Sequence, residues 1–323
     1  MITISVCMIV KNEENRLARC LDSLQGLWDE LVIVDTGSTD DTKKVAAKYA
    51  GRVYDYQWRD DFAHARNYAF SLAQCDYIYA PDADEILEPA SRRKFLNLKQ
   101  TLLPEVEIVQ MIYVNRHAYR TTENFEKDYR PKLFKRLRTF QWVDPVHETI
   151  RLQPVVYDSD IEILHLPDSS HANRDIKILK TVAQKGVRLS ARLHNMYARE
   201  LFIAGTNQDF REAEFFFRKS LQDAARSQDE QMEALCVLAR VNRLGKNYAE
   251  FLSLCLNGIA AAPCAELCME AGDYYMEIQD YKNAWDWYEN ARNTPAILDI
   301  RCQEEFPAKK LALCQELAAA SEK

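Results

Sequence analysis

Asp82 and Asp84 stand one residue apart in the segment YIYAPDADEILEP, Tyr77 to Pro89, and Glu85 follows directly. Three acids in four positions, closing an apolar run, are poor strand material. Like charges repel, and each carboxylate raises its neighbour's pKa unless a cation neutralises both. A solvated turn is one account of the segment, and a site that needs the charge is the other. In extended backbone both aspartates would point to one side. A hard divalent ion with oxygen ligands is their natural partner, and such an ion keeps positions open for phosphate oxygens.

Other residues suited to chemistry are spread over the first half. Asp35 ends the apolar run of IVDTGSTDDT, Gly37 permits a tight turn, and Ser38 or Thr39 is a candidate N-cap. As structure this is a strand-to-helix turn; as chemistry, an acid there accepts hydrogen bonds from a base or a ribose. Neither GxGxxG nor GxxxxGK[ST] occurs, so a diphosphate would have to be held by a metal and basic side chains. DDFAHARNYAF sets Arg66 and Asn67 in an otherwise apolar helix, with His64 on a neighbouring face. FQWVDPVHETI carries Asp144, His147 and Glu148 around Pro145, and Arg151 stands where a zincin would have its second histidine. His165 closes the strand-like run IEILHL.

The elements that must position these residues alternate. TISVCMIV, DELVIVD, GRVYDYQW and DYIYAPD read as buried strands. Between them NEENRLARCLDSLQGL, STDDTKKVAAKYA and DFAHARNYAFSLA read as helices, the first with Leu17, Cys20, Leu21 and Leu24 at helical spacing. Strand and helix in strict alternation predict parallel strands with crossover helices. Ligands of such sheets sit beyond the carboxyl ends of the strands, and Lys11–Glu14, Asp35 and Asp82–Asp84 all fall there. From about Asn173 onward the pattern is helical. DFREAEFFFRKSL, NYAEFLSLCLNGIAAAP and DYKNAWDWYENARNTP resemble one another, with Tyr248 and Tyr281 33 residues apart and Ala213, Ala249 and Ala284 as recurring small residues. A period of about 34 predicts tetratricopeptide-like helical hairpins.

Composition limits the rest. A chain of 323 residues has room for two domains, and 47% apolar with 28% charged residues is ordinary for a soluble protein. The net charge of −7 gives no electrostatic case for nucleic acid. Nine cysteines lack paired spacing, and Cys264 and Cys268 have no second pair or histidine cluster to complete a zinc site, so the expectation is reduced thiols in the cytoplasm. The N-terminal MITISVCMIVKNEEN reads as neither signal peptide nor membrane span, and no transmembrane segment is expected.

ISVCMIVKNEENRLARCLDSL, DELVIVDTGSTDDT, DDFAHARNYA and APDADE, in this order, resemble family 2 glycosyltransferases with the GT-A fold. The later KLFKR, VHE and ILH resemble the branch related to lipopolysaccharide-core glucosyltransferases, and the helical tail resembles those of bacteriocin S-glycosyltransferases. The resemblance implies an α/β GT-A nucleotide-sugar-binding domain with a mainly parallel sheet, residues 1–172, then an all-α repeat domain, residues 173–323. It implies an inverting transfer of a hexose or N-acetylhexosamine from a UDP-sugar to a peptide, protein or glycan, with Mn²⁺ or Mg²⁺. By the same resemblance Asp35 recognises the uridine, Arg66 meets uracil or diphosphate, and Glu14 joins them at the nucleotide. Asp82 and Asp84 bind ribose and metal, Asp84 being the direct ligand, and His165 completes the metal site. Better-known members carry the catalytic Asp in an E-D pair, which this chain lacks. The base is therefore sought in Asp144 to Glu148, with Glu148 first and Asp144 second, because Trp142 nearby can stack on a sugar and desolvate a carboxyl group. The tail is expected to present the acceptor or to mediate self-association. A non-catalytic sugar-nucleotide-binding repeat scaffold is the alternative. A nucleotidyltransferase would want a Gly-rich, Arg-containing loop where this chain has VKNEEN.

Overall fold

The computed structural model describes residues 1–50, 52–115, 127–138, 142–145, 149–150, 154–166, 172–186 and 188–321. They form two compact units, one holding the elements up to His165 and the other those from Ala172 on.

The first unit begins with β1 (Ile4–Val10), α1 (Leu17–Leu24), β2 (Glu30–Asp35), α2 (Thr42–Ala46), β3 (Val53–Asp55), α3 (Phe62–Ser71) and β4 (Tyr77–Tyr79). It continues with β5 (Glu85–Ile86), α4 (Pro89–Thr101), β6 (Ile108–Asn115), β7 (Lys127–Lys135), β8 (Trp142–Val143), β9 (Thr149–Ile150) and β10 (Val156–His165). β1 is apolar and buried on both faces, as an interior parallel strand should be. α1 buries Leu17, Cys20, Leu21 and Leu24, the four residues at helical spacing. α3 starts where the Asp61 side chain accepts from the His64 N–H, and it buries Ala63, Ala65, Ala69 and Phe70.

Among the described residues the main sheet has the order β3-β2-β1-β4-β7-β6-β10-β5. β3, β2, β1 and β4 are parallel, as their alternation with helices predicts. β7 then enters antiparallel to both β4 and β6, and β10 lies parallel to β6. Two antiparallel steps restore the direction, so β1, β2, β4 and β10 all end on the same edge of the sheet. One local expectation fails. α2 is short, and Ser38 and Thr39 do not cap it; the Ser38 hydroxyl instead accepts from the Asn12 N–H at 2.9 Å.

The second unit consists, among the described residues, of α5 (Ala172–Gln184), α6 (Ala191–Ala204), α7 (Asn207–Gln222), α8 (Gln228–Leu244), α9 (Tyr248–Ala261), α10 (Ala265–Glu277), α11 (Tyr281–Arg292) and α12 (Phe306–Ser321), apart from one short 3₁₀ turn. The three similar segments are α7, α9 and α11. Their shared phase differs from the small-residue pattern, because Ala249 is exposed. The equivalent buried position is held by Ala213, Phe251 and Ala284, and the next one toward the core by Phe217, Cys255 and Tyr288. The two positions lie one turn apart on each helix, so their side chains share one buried face. Gly272 lets α10 approach α11 closely, since a Cβ there would stand 2.4 Å from the Tyr288 ring.

Candidate functional site

The carboxyl ends of β1, β2, β4 and β10 gather the residues singled out above. After β1, Asn12 adopts a left-handed conformation with φ 56°. Its side chain accepts from the Thr39 N–H at 2.9 Å, which ties the loop after β1 to the loop after β2. Glu14 takes part in this tie: its carboxylate accepts from the Asp41 N–H at 2.9 Å. The structure therefore engages Glu14 with the start of α2.

Asp35 is buried at the end of β2. Gly37 turns the chain with φ +102°, and its N–H and that of Ser38 both donate to Asp35 Oδ1 at 3.0 Å. Lys43 Nζ lies 3.7 Å from the same oxygen. The other oxygen, Oδ2, is buried and has no hydrogen-bond partner. A buried acceptor without a donor costs about 1–3 kcal/mol, so such an atom calls for a ligand.

The segment after β4 is a turn in which the Glu85 N–H donates to the Asp82 carbonyl at 3.1 Å. It is not extended, and the two aspartates meet different partners. Asp82 Oδ1 takes a bond from Arg66 Nη2 at 2.7 Å, and its Oδ2 lies 3.6 Å from Lys132 Nζ. Burial alone would raise its pKa, but the charges of Arg66 and Lys132 outweigh burial and hold the carboxyl well below the usual range. Asp84 Oδ2 instead faces His165 Nε2 at 3.2 Å. The pairing of β5 with β10 makes this contact, because it sets His165 opposite Glu85. The Leu166 N–H also donates to the Asp84 carbonyl at 3.0 Å.

Two residues of this cluster escaped the sequence reading. Lys132, on β7, is buried and donates to Glu85 Oε1 at 2.5 Å. Burial pushes the Glu85 carboxyl up to about 7 despite Lys132, and its second oxygen is buried without a partner. In the sequence Glu85 stands only as the third acid of its segment, and Lys132 only as the first residue of KLFKR.

The donors fit a divalent cation that is shared with a ligand. Among the described residues no group of three or more His, Cys, Asp or Glu side chains is arranged to hold a metal. Asp84 and His165 supply one oxygen and one nitrogen, a set suited to Mn²⁺, with further positions left for diphosphate oxygens or water.

The segment of the candidate base is anchored on α3. Asn67 brackets Trp142, donating to its carbonyl at 2.9 Å and accepting from its N–H at 2.8 Å. The Phe62 N–H donates to the Pro145 carbonyl at 2.9 Å, and the Arg66 guanidinium lies 5.3 Å from the Trp142 ring centroid. Asp144, with φ 74°, thus follows a strand fixed to the helix that bears Arg66. Glu148 and His147 lie outside the described residues.

Residues 5–153 match the family described as Glycosyl transferase family 2. The SPbeta prophage-derived glycosyltransferase SunS of Bacillus subtilis is 23% identical over 267 residues, covering 77% of this chain and 60% of that protein. A TPR repeat-containing protein of Synechococcus elongatus is 44% identical over 87 residues, covering 27% of this chain and 22% of its own length. The chain thus spans less than two thirds of these curated relatives. A glucosyl-3-phosphoglycerate synthase from Mycobacterium tuberculosis, solved with Mn²⁺, UDP and phosphoglyceric acid, superposes with a TM-score of 0.44 at 21% identity, over 58% of this chain and 80% of that one. No helix among the described residues is long and apolar enough to cross a membrane.

Proposed function

We propose, from the premise that this chain carries a family 2 glycosyltransferase domain over residues 5–153, that it moves a hexose or N-acetylhexosamine from a UDP-sugar to a peptide, protein or glycan acceptor with inversion. The observation that carries this reading is the division of labour within the acid pair: Asp82 is held by Arg66 and Lys132, while Asp84 faces His165. One carboxylate is kept for hydrogen bonding and the other for a cation.

Each residue then has a task. Asp35 Oδ2 accepts a hydrogen bond from the uridine moiety, which supplies the donor that this buried atom lacks. Arg66 stands beside the diphosphate and Asp82 beside the ribose. Asp84 and His165 hold Mn²⁺ or Mg²⁺, which when bound neutralises the leaving diphosphate as a Lewis acid. The base comes from the segment anchored by Asn67, with Glu148 first and Asp144 second, and removes the acceptor proton on the opposite side of the sugar. A single displacement needs one base and no covalent glycosyl-enzyme. The helical unit is assigned to the acceptor or to a second copy of the chain, since stacked helical repeats make extended binding surfaces. The unpaired cysteines support a reducing compartment, the cytoplasm.

The test is a panel of nucleotide sugars scored by mass spectrometry for hydrolysis and transfer, with Mn²⁺ and with chelator. Metal-dependent turnover of a UDP-sugar is expected. UDP binding with no turnover of any donor would instead favour the non-catalytic scaffold.

A further inference from the structure

We propose that Lys132 is a positioning residue that decides which acid of the pair takes the cation. By holding Asp82 and Glu85 together it keeps Asp82 turned to the nucleotide and out of the metal's coordination, leaving Asp84 as the carboxylate ligand. The inference rests on the donor-site reading above and adds a residue to it.

A lysine 7% exposed is rare unless its charge is matched. Lys132 Nζ contacts Glu85 Oε1 at 2.5 Å, Asp82 Oδ2 at 3.6 Å and the Ala80 carbonyl at 3.5 Å. Those three groups lie on one short stretch, the chain between β4 and the start of β5. β7 can supply the cation because it pairs antiparallel with β4, and the Ala80 N–H donates to the Lys132 carbonyl at 3.0 Å. A compact ammonium with three donors fits between two carboxylates and a carbonyl, whereas a planar guanidinium would favour one carboxylate in a two-pronged bond. With Arg66 on its other oxygen, Asp82 has a cation on each side. An acid so engaged is a poor metal ligand, although its spacing from Asp84 makes it look like one.

The simpler account is that Lys132 only neutralises Glu85. Lys132→Met alone strands a buried carboxylate and is expected to lower the Tm, so it cannot separate the two accounts. Lys132→Met/Glu85→Gln removes one charge of each sign and keeps the volume. It should fold like the parent, as judged by thermal unfolding, and it is compared with the parent and with Asp82→Asn. UDP affinity by calorimetry in Mn²⁺ is expected to fall about 10- to 100-fold in the double variant and in Asp82→Asn, the usual scale for residues that orient a ligand. Mn²⁺ affinity without nucleotide, from the electron spin resonance of free Mn²⁺, is expected to rise in the double variant and to return to the parent value when Asp82→Asn is added. Parent-like UDP and Mn²⁺ affinities in a folded double variant would overturn the proposal. Should the parent bind no UDP, or Asp82→Asn bind it normally, the donor-site reading is what fails, and the Mn²⁺ measurement still decides the role of Lys132.

Discussion

Buried carboxylates occur in both units, and they are treated differently. In the helical unit Glu266 receives backbone N–H groups from Ile297, Leu298 and Asp299 at 3.1, 2.7 and 2.9 Å. Glu270 is shared by Arg240 at 2.5 Å and Arg243 at 2.7 Å. Glu233 takes His194 on one oxygen at 2.5 Å and Asn195 on the other at 2.7 Å. These oxygens are spent on the chain itself, as buried polar groups in a stable core should be. At the carboxyl edge of the sheet, Asp35 Oδ2 and Glu85 Oε2 are buried with no partner. The same chain can satisfy its buried acids and does so where they tie helices together. The unmet acceptor capacity of Asp35 and Glu85 lies where a ligand would supply donors and positive charge. That difference separates a structural acid from a site acid without reference to any family.

The contrast is broken most directly by exchanging the readouts. Asp84→Asn should lower transfer about a thousandfold, because a Lewis acid contributes several kcal/mol to the barrier and about 1.4 kcal/mol is tenfold. Its Tm should stay near that of the parent. Transfer at the parent rate, in chelator-treated protein restored with Mn²⁺, would remove Asp84 from the metal. Glu270→Ala should do the reverse. It leaves Arg240 and Arg243 without their shared buried partner, at a cost of about 3–5 kcal/mol, and unfolding followed by denaturant titration measures it. UDP affinity of whatever remains folded should be that of the parent; a specific loss would mean that the two units are not separable in role. Asp35→Ala sits between these. UDP binding should weaken by about 1–3 kcal/mol in calorimetry, the value of one bond to a buried group, with a smaller change in Tm. Unchanged UDP affinity would leave the spare oxygen without a ligand.

Much of this was legible in the sequence, for identifiable reasons. β1, β2 and β4 and the helices between them follow from runs and periods that are local. Asp35, Arg66, Asp82, Asp84 and His165 were visible because each closes an element or interrupts an apolar face. The turn of the acid pair was not visible, since its direction is set by Arg66 and Lys132 from elsewhere in the chain. Lys132 was hidden by its surroundings. RPKLFKR reads as a basic run, whereas strand alternation puts Lys132 with buried Phe134 on one face and Leu133 on the other. β7 was also the strand that strict alternation of strand and helix could not anticipate, because it joins its neighbours antiparallel. Glu14 fell at a strand end like the others, yet its carboxylate meets the backbone of α2. In the helical unit the repeat was legible but its phase was not: Phe251 fills the place held by Ala213 and Ala284, while the small residue of that segment, Ala249, is exposed.

A smaller effect probes how tightly the helical unit is built. Gly272→Ala drives a methyl group to within 2.4 Å of the Tyr288 ring, which is fully buried and whose hydroxyl donates to Asp273 at 2.7 Å. The ring cannot swing away without losing that bond. Overpacking should cost about 1–3 kcal/mol in denaturant unfolding and leave UDP binding unchanged. A neutral substitution would show that α10 and α11 can separate freely, and that saturation of the helical carboxylates does not reflect a rigid core.

The smallest effect concerns the helical acid that departs from the pattern. Burial pushes the Glu200 carboxyl up to about 7; Asp175 adds to the rise and Arg199 offsets only part of it. A carboxyl raised in the folded state holds its proton where the unfolded chain has lost it. The native form therefore binds more protons between about 4.3, the ordinary value for Glu, and about 7. Stability must fall as pH rises through that window and level off above it. Glu85, raised to about 7 as well, gives a slope of the same sign in the sheet unit, so the parent curve alone cannot assign it. Glu200→Gln isolates the helical term, because the amide has no proton to lose. Relative to the parent it should gain stability from pH 5 upward, with most of the gain acquired by pH 7 and little added above it. Thermal unfolding of both proteins across that range measures the difference. Parallel curves would mean that Glu200 ionises normally in the fold.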